Sequence, residues 1–179
     1  MKIGIDISQL AYENTGVANY LRDLIRNLII LDTKNEYILF YSSLRKQSQI
    51  SKFKSQIHNS KIKIKSYPLP PTILDFIWNK LHIFPIEWFI GDIDIFITSD
   101  WTEPPASKAQ KATILYDLII YKYPDETDAK IVATQKRKLK WVKKESDIIF
   151  CISEATKKDA IDILELEKKR LHVIYPGIT

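Results

Sequence analysis

Short apolar runs alternate with amphipathic segments along the whole chain. Lys2-Ile3-Gly4-Ile5-Asp6-Ile7 is a brief β-rich run. After it, Val17, Tyr20, Leu21, Leu24, Ile25, Leu28 and Leu31 recur at the spacing of one helical face. Glu36 to Tyr41 reads as a second strand, and the mixed polar stretch from Leu44 to His58 as helix plus loop. Lys61-Ile62-Lys63-Ile64-Lys65 alternates strictly, which predicts a third strand with one wet face. Its lysines either meet a polyanion or blunt an exposed sheet edge against aggregation. Ile73 to Ile90 carries Phe76, Ile77, Trp78, Leu81, Phe84, Trp88 and Phe89, a helix that breaks near Pro85. Those aromatics pack on the sheet or make a lipid-facing patch. Strands follow at Asp94–Thr98, Ala112–Tyr116, Asp147–Ile152 and Leu171–Tyr175. A basic helix spans Ala129 to Glu145, and another helix starts at the capping residue Ser153. The lysines and arginine of the basic helix form a solvated face or an attachment to anionic membrane.

This alternation predicts an α/β fold: one doubly wound, Rossmann-like parallel sheet occupying residues 1–179. The expected strand order is 3-2-1-4-5-6, extended by the last strand, with the lysine-bearing third strand at an edge. Ligands of such sheets bind beyond the C-terminal ends of the strands, near the switch in strand order. That rule gathers Asn14 to Gly16, Asp100 to Glu103, Tyr116-Asp117 and Ser153-Glu154. Gly16 opens the first helix, where orphan N–H groups and the helix dipole suit a phosphate. Close packing of the helix on its strand is the alternative reason for a glycine there. Neither a Gly-x-Gly-x-x-Gly fingerprint nor a P-loop is present.

Composition changes this picture little. Hydrophobic residues make up 45% and charged residues 27%, ordinary values for a globular protein. The net charge of +5 permits contact with phosphate-bearing ligands or anionic lipid without demanding nucleic acid. The single Cys151 excludes an internal disulfide and argues for a reducing, cytoplasmic setting. The chain enters a strand at once, with no signal peptide. Its most apolar stretch is interrupted by Asp75, Lys80, Pro85 and Glu87, which excludes a simple membrane span. His58, His82 and His172 do not pair at metal-ligand spacing, so no metal or other cofactor is expected.

The segments "KIGIDISQL…TGVANYLRDLIRNL", "NEYILF", "DIDIFITSDWTEPP", "ATILYDLIIYKYPDE", "SDIIFCISEATKKDAI" and "LHVIYPGI" occur in an order that resembles the N-terminal half of a group 1 glycosyltransferase. These are retaining enzymes of the GT-B, GT4 type. The resemblance implies an acceptor-binding domain, with the nucleotide-sugar donor held by a C-terminal domain and the chemistry between them. Gly16 matches the glycine whose backbone approaches the donor diphosphate. Ser153-Glu154 matches a structural turn by the cleft. Tyr116-Asp117 matches a His-Asp pair near the transferred sugar, with tyrosine in place of histidine. The catalytic candidates are therefore Asp117 and, with the phenol as a hydrogen-bond donor, Tyr116. Asp100, Trp101 and Glu103 are the acceptor-binding candidates.

The family's interdomain linker begins at Pro176-Gly177-Ile178-Thr179, so the donor domain is expected outside these 179 residues, in a longer enzyme or a separately encoded half. Alone, the chain is expected to be inactive. The resemblance implies a nucleotide-sugar donor, a saccharide or lipid-linked acceptor, a role in polysaccharide or glycoconjugate synthesis, and peripheral contact with the inner face of the membrane. The alternative is a non-catalytic module of the same fold that binds a sugar, a nucleotide or a partner.

Overall fold

Strand β1 (Lys2–Asp6) lies in the middle of the sheet, and its last three residues are buried. A 3-10 turn over Ser8–Ala11 carries the chain to α1 (Gly16–Leu31). Thr15 caps that helix: its Oγ1 accepts from the Ala18 N–H at 3.2 Å. Ala18, Leu21 and Ile25 form the buried face of α1. The chain continues through β2 (Glu36–Ser42), α2 (Gln47–Gln56) and β3 (Ile62–Tyr67). A crossover follows, made of α3 (Pro71–Leu74), a π-helical turn over Asp75–Lys80, and α4 (Glu87–Ile90). It leads to β4 (Ile95–Thr98) and β5 (Gln110–Leu115). The remaining elements are α5 (Ile119–Lys122), α6 (Ala129–Glu145), β6 (Ile148–Cys151), α7 (Glu154–Leu164) and β7 (Leu171–Val173). This computed structural model describes residues 1–57 and 61–177. His58 and the Ile178-Thr179 end of the expected linker lie outside the described residues.

The described strands form one seven-stranded sheet in the order β3-β2-β1-β4-β5-β6-β7, and every neighbouring pair is parallel. Chain direction across the sheet reverses between β1 and β4, which places the switch point beside Asp6 and Ser99. β3 is an edge strand with Lys63 and Lys65 exposed, as the alternation requires.

Helices cover both faces, so β2 is an unbroken apolar or aromatic run from Tyr37 to Tyr41 whose side chains alternate between two cores. Tyr37, Leu39 and Tyr41 pack with Leu21 and Ile25 of α1, while Ile38 and Phe40 pack with Phe96, Trp78 and Ile90. Under α6 and α7 a third cluster joins Leu139, Val142, Ile149, Cys151, Ala160 and Leu164. The close-packing glycine of the fold is Gly4: a Cβ there would lie 2.8 Å from both Ile90 Cδ1 and Phe96 Cδ2.

Two sequence expectations change. The helix expected over residues 73–90 ends at Lys80, before Pro85. His82 and Phe84 take left-handed conformations (φ 55° and 63°), and the Trp78 indole N–H donates to the Phe84 carbonyl at 3.0 Å. The aromatics divide accordingly: Trp78 is fully buried, whereas Phe76, Phe84 and Trp88 are exposed. The basic face of α6 is also incomplete, because Lys138 is buried. Lys138 shares its face with Gln135, Leu139 and Val142, at helical spacing, and the core claims that face.

Candidate functional site

The start of α1 and the segments that follow β4, β5, β6 and β7 enclose two adjoining hollows. The larger, about 930 Å³, runs along α1 and is lined by Gly16, Tyr20, Arg26, Tyr116 and Asp117, with Tyr175 on its far side. The smaller, about 210 Å³, is lined by Asp100, Trp101, Gln135, Tyr116 and Asp117. Val17, Tyr116 and Asp117 belong to both walls and divide the two spaces.

Gly16 is the first residue of α1 and is exposed. Apart from its chain neighbours and the backbone of its own helical turn, no atom lies within 4 Å of where its Cβ would be, and its φ is not positive, so neither helix packing nor backbone conformation demands glycine. The packing explanation for this residue is thereby removed. What remains is open space at a helix N-terminus.

Tyr116 follows β5 and is buried except for its edge on the hollows. Its hydroxyl lies 3.1 Å from Ser99 Oγ, and its ring meets Tyr20 edge-on at 5.6 Å. Burial pushes the phenol well above its ordinary range, so it stays protonated at neutral pH and can donate a hydrogen bond. Its carbonyl accepts from Thr156 Oγ1 at 2.9 Å, which ties the end of β5 to α7. Ser153 caps α7 by accepting from the Thr156 N–H at 3.0 Å. The Ser153-Glu154 turn is thus a structural support of the site. Asp117 is exposed, and one of its oxygens accepts from the Ile119 N–H at 3.0 Å, which leaves the other facing solvent.

Asp100 is half-buried. Its carboxylate and its carbonyl both accept from the Gln135 amide at 3.0 Å. Burial raises its pKa, the positive charge of Lys138 opposing the rise. Trp101 is half-buried too; its carbonyl accepts from Asn79 Nδ2 at 2.9 Å, and the same Asn79 fixes the Glu103 N–H.

Glu103 departs from its expected role. It has no exposed surface and faces inward. Thr98 Oγ1 donates to it at 2.6 Å and Lys111 Nζ lies 3.0 Å away. A carboxylate buried with a cation and a hydroxyl serves the fold, and an acceptor in the hollows does not touch it.

Sequence reading missed the charges beneath the floor. Lys138 donates to the Ser99 carbonyl, and Asp6 accepts from the Ser8 N–H at 2.9 Å. Burial lowers the pKa of Lys138 and raises that of Asp6; Asp6, Asp100 and Glu103 each favour the lysine's charged form. Lys138 therefore links, through Ser99, to the Tyr116 hydroxyl. The available signal was its helical register with Leu139 and Val142, outweighed by the surrounding lysines.

The fold and its site define a Rossmann-like α/β domain with a ligand-sized hollow at the switch point. No protein-family model matches the chain, and no curated protein is similar to it. Among solved structures, the chain is similar in fold to UDP-GlcNAc 2-epimerase from Methanocaldococcus jannaschii, with TM-score 0.50 and 10% identity over 97% of this chain. The match spans 45% of the epimerase's length. A short-chain dehydrogenase from Oenococcus oeni PSU-1 aligns with TM-score 0.44 and 14% identity, over 99% of this chain and 80% of its own. The first likeness shows the shared α/β fold.

Proposed function

We propose that this chain is the acceptor-side domain of a retaining glycosyltransferase. In this reading the enzyme transfers a sugar from a nucleotide-sugar donor to a saccharide or lipid-linked acceptor, in polysaccharide or glycoconjugate synthesis. The observation that carries the reading is the pair of hollows divided by Tyr116 and Asp117. Gly16 lies in one and Asp100 with Trp101 in the other, so a donor diphosphate and an acceptor would meet at the dividing wall. The UDP-GlcNAc 2-epimerase has a nucleotide-sugar substrate by name, and its fold likeness is compatible with this use of the switch point.

In this mechanism the unencumbered backbone of Gly16 approaches the diphosphate, where the α1 dipole stabilises the departing negative charge. The protonated Tyr116 hydroxyl donates a hydrogen bond toward the transferred sugar, and Asp117 orients hydroxyls at the same point. Asp100 and Trp101 hold the acceptor, one by hydrogen bonding and the other by stacking an apolar sugar face. A second domain supplies the main counter-charges and closes the cleft against water.

The alternative, a binding module without turnover, gains support from Tyr116, since a buried phenol supplies no base at neutral pH. Two measurements decide. The 179-residue chain, incubated with a panel of nucleotide sugars, is expected to release no nucleotide and to bind donors weakly by calorimetry. Sustained turnover or tight donor binding by this chain would overturn the acceptor-side assignment. In the enzyme joined to its donor half, Gly16→Val is expected to lower kcat/KM by about 100-fold while leaving the melting temperature unchanged. Full turnover by that variant would remove the diphosphate role of Gly16.

A further inference from the structure

One histidine fastens the crossover between β3 and β4 to α6. His82 takes a left-handed conformation (φ 55°), as does Phe84 (φ 63°). Such a backbone costs free energy for residues other than glycine and persists only where the surroundings hold it. The His82 side chain keeps 9% of its surface. Its ring stacks on Trp141 of α6, with ring centres 3.5 Å apart and planes 6° apart. Nδ1 lies 2.8 Å from the Trp78 carbonyl, and Nε2 lies 2.9 Å from both Glu145 carboxylate oxygens. A neutral imidazole carries one N–H and can serve only one of these two acceptor groups, whereas an imidazolium serves both.

The charges around the ring support the protonated form. Lys111 of β5 lies 3.0 Å from Glu103 and 3.1 Å from Glu145. One lysine thus bridges two carboxylates, and the imidazolium is a second cation in contact with Glu145. Burial by itself would raise the Glu145 carboxyl, but its bonds to His82 and Lys111 hold it below the ordinary carboxylate range, so an anion faces the ring at neutral pH. Lys140 and Lys144 of α6 oppose a positive ring from 5.6 and 4.9 Å of the Trp141 centre, and Lys80 of the crossover lies over Phe76. Asp75 pairs with Arg137, and Glu87 accepts from the N–H groups of Ser107, Lys108 and Ala109. Buried Asn79, three residues before His82, carries the same fastening into the site. Its carbonyl accepts from the Trp141 indole N–H at 2.8 Å, while its side chain donates to the Trp101 carbonyl and accepts from the Glu103 N–H, each at 2.9 Å.

We propose that His82 is a proton-operated clasp, which when protonated holds the crossover against α6 and, through Asn79, keeps the Asp100–Glu103 loop in place. Loss of the proton leaves one acceptor without its donor, and the strained crossover and the site loop loosen together. A contact made by the protonated ring is present at low pH and is lost as pH rises through the ring's titration. The clasp acts on the loop itself, whatever ligand occupies the hollows.

Hydrogen exchange of the full chain tests the clasp, followed by NMR from about pH 5.5 to about pH 9 and corrected for intrinsic rates. The reporters are the N–H groups of Leu81 and Ile83, which donate to the Phe76 and Ile77 carbonyls at 3.0 Å, and that of Glu103. Their protection is expected to fall about tenfold or more with rising pH, in one single-proton step. The N–H of Ile25, buried in α1, keeps its protection. In His82→Asn, chosen because asparagine tolerates a left-handed backbone, the reporters are weakly protected at every pH and the step is gone. Glu145→Gln moves the step to lower pH, because the ring loses its anion. Melting curves establish that each variant is folded. Protection with no step overturns the proposal, as does the same step surviving in His82→Asn or unmoved in Glu145→Gln. An equal fall at Ile25 assigns the change to the whole fold and overturns it too. A step at Leu81 and Ile83 that is absent at Glu103 overturns the link to the site loop.

Discussion

At the scale of residues, the glycines and the buried lysine behave against first expectation. Gly4 fits a gap between Ile90, Ile93 and Phe96 that a methyl group overfills. Gly4→Ala is expected to destabilise the fold by about 1–3 kcal/mol in urea unfolding, the range for overpacked cores. Gly16→Ala, with nothing to strike, is expected to leave stability unchanged or raise it by about 0.4–1 kcal/mol. An equal cost at both positions would contradict this division. Lys138 offsets the charge of Asp6, Asp100 and Glu103 from beneath the site. Lys138→Met is expected to cost about 3–5 kcal/mol, as when one partner of a buried charge pair is removed. Asp6 and Asp100 already have raised pKa values, chiefly from burial, and loss of the lysine raises them further. Carboxyls of this kind stabilise the fold below their unfolded pKa and lose that contribution as pH rises through the folded value. The deficit of the variant must therefore be larger at about pH 8 than at about pH 5. Equal deficits at the two pH values would exclude the charge-balancing role.

At the scale of elements, most strands and long helices were legible because their apolar periods are unambiguous. The 129–145 helix, the alternating β3 and the capped α7 all appear where the pattern puts them. The crossover over residues 71–90 was legible as a helix interrupted near Pro85, but not in how its two sides divide. Its apolar residues serve two surfaces, the core through Trp78 and Ile86 and the solvent side through Phe84 and Trp88, so a single helical period does not describe it. The end of α6 shows a dependence that no local pattern reveals. The Arg170 guanidinium, just before β7, donates to the carbonyls of Ser146 at 2.8 Å and of Lys143 and Val142 at 2.9 Å. The carbonyls of Lys143 and Ser146 are acceptors that a helix C-terminus leaves without an intrahelical partner, whereas that of Val142 also accepts from the Ser146 N–H at 3.1 Å, and a cation there interacts favourably with the dipole. Arg170→Ala is expected to cost about 1–3 kcal/mol by thermal or urea melting. Arg170→Lys recovers only part, because an ammonium cannot reproduce the fork. Full recovery by lysine would reduce the contact to simple charge.

At the scale of the whole molecule, strand order followed from alternation and handedness, and the switch point located the hollows before any side chain was placed. Gly16, Asp100, Trp101, Tyr116 and Asp117 lie there because topology alone brings those loops together. Glu103 was misplaced for the complementary reason: topology selects a loop, while packing decides which of its side chains turn inward, and Thr98 and Lys111 offered this one partners inside. The sheet also encloses the chain's single thiol. Cys151 ends β6, fully shielded, and burial raises its thiol to about 11, so little thiolate forms at neutral pH. An alkylating reagent can therefore consume it only in molecules whose β5–β6–β7 region has parted. Native alkylation is expected to run at least about a thousandfold slower than that of an unstructured cysteine peptide. A rate near that of the peptide would show that this side of the sheet opens freely. Because every molecule holds one such sulfur, the slow loss of free thiol is a direct clock of sheet opening, readable in any buffer without denaturant.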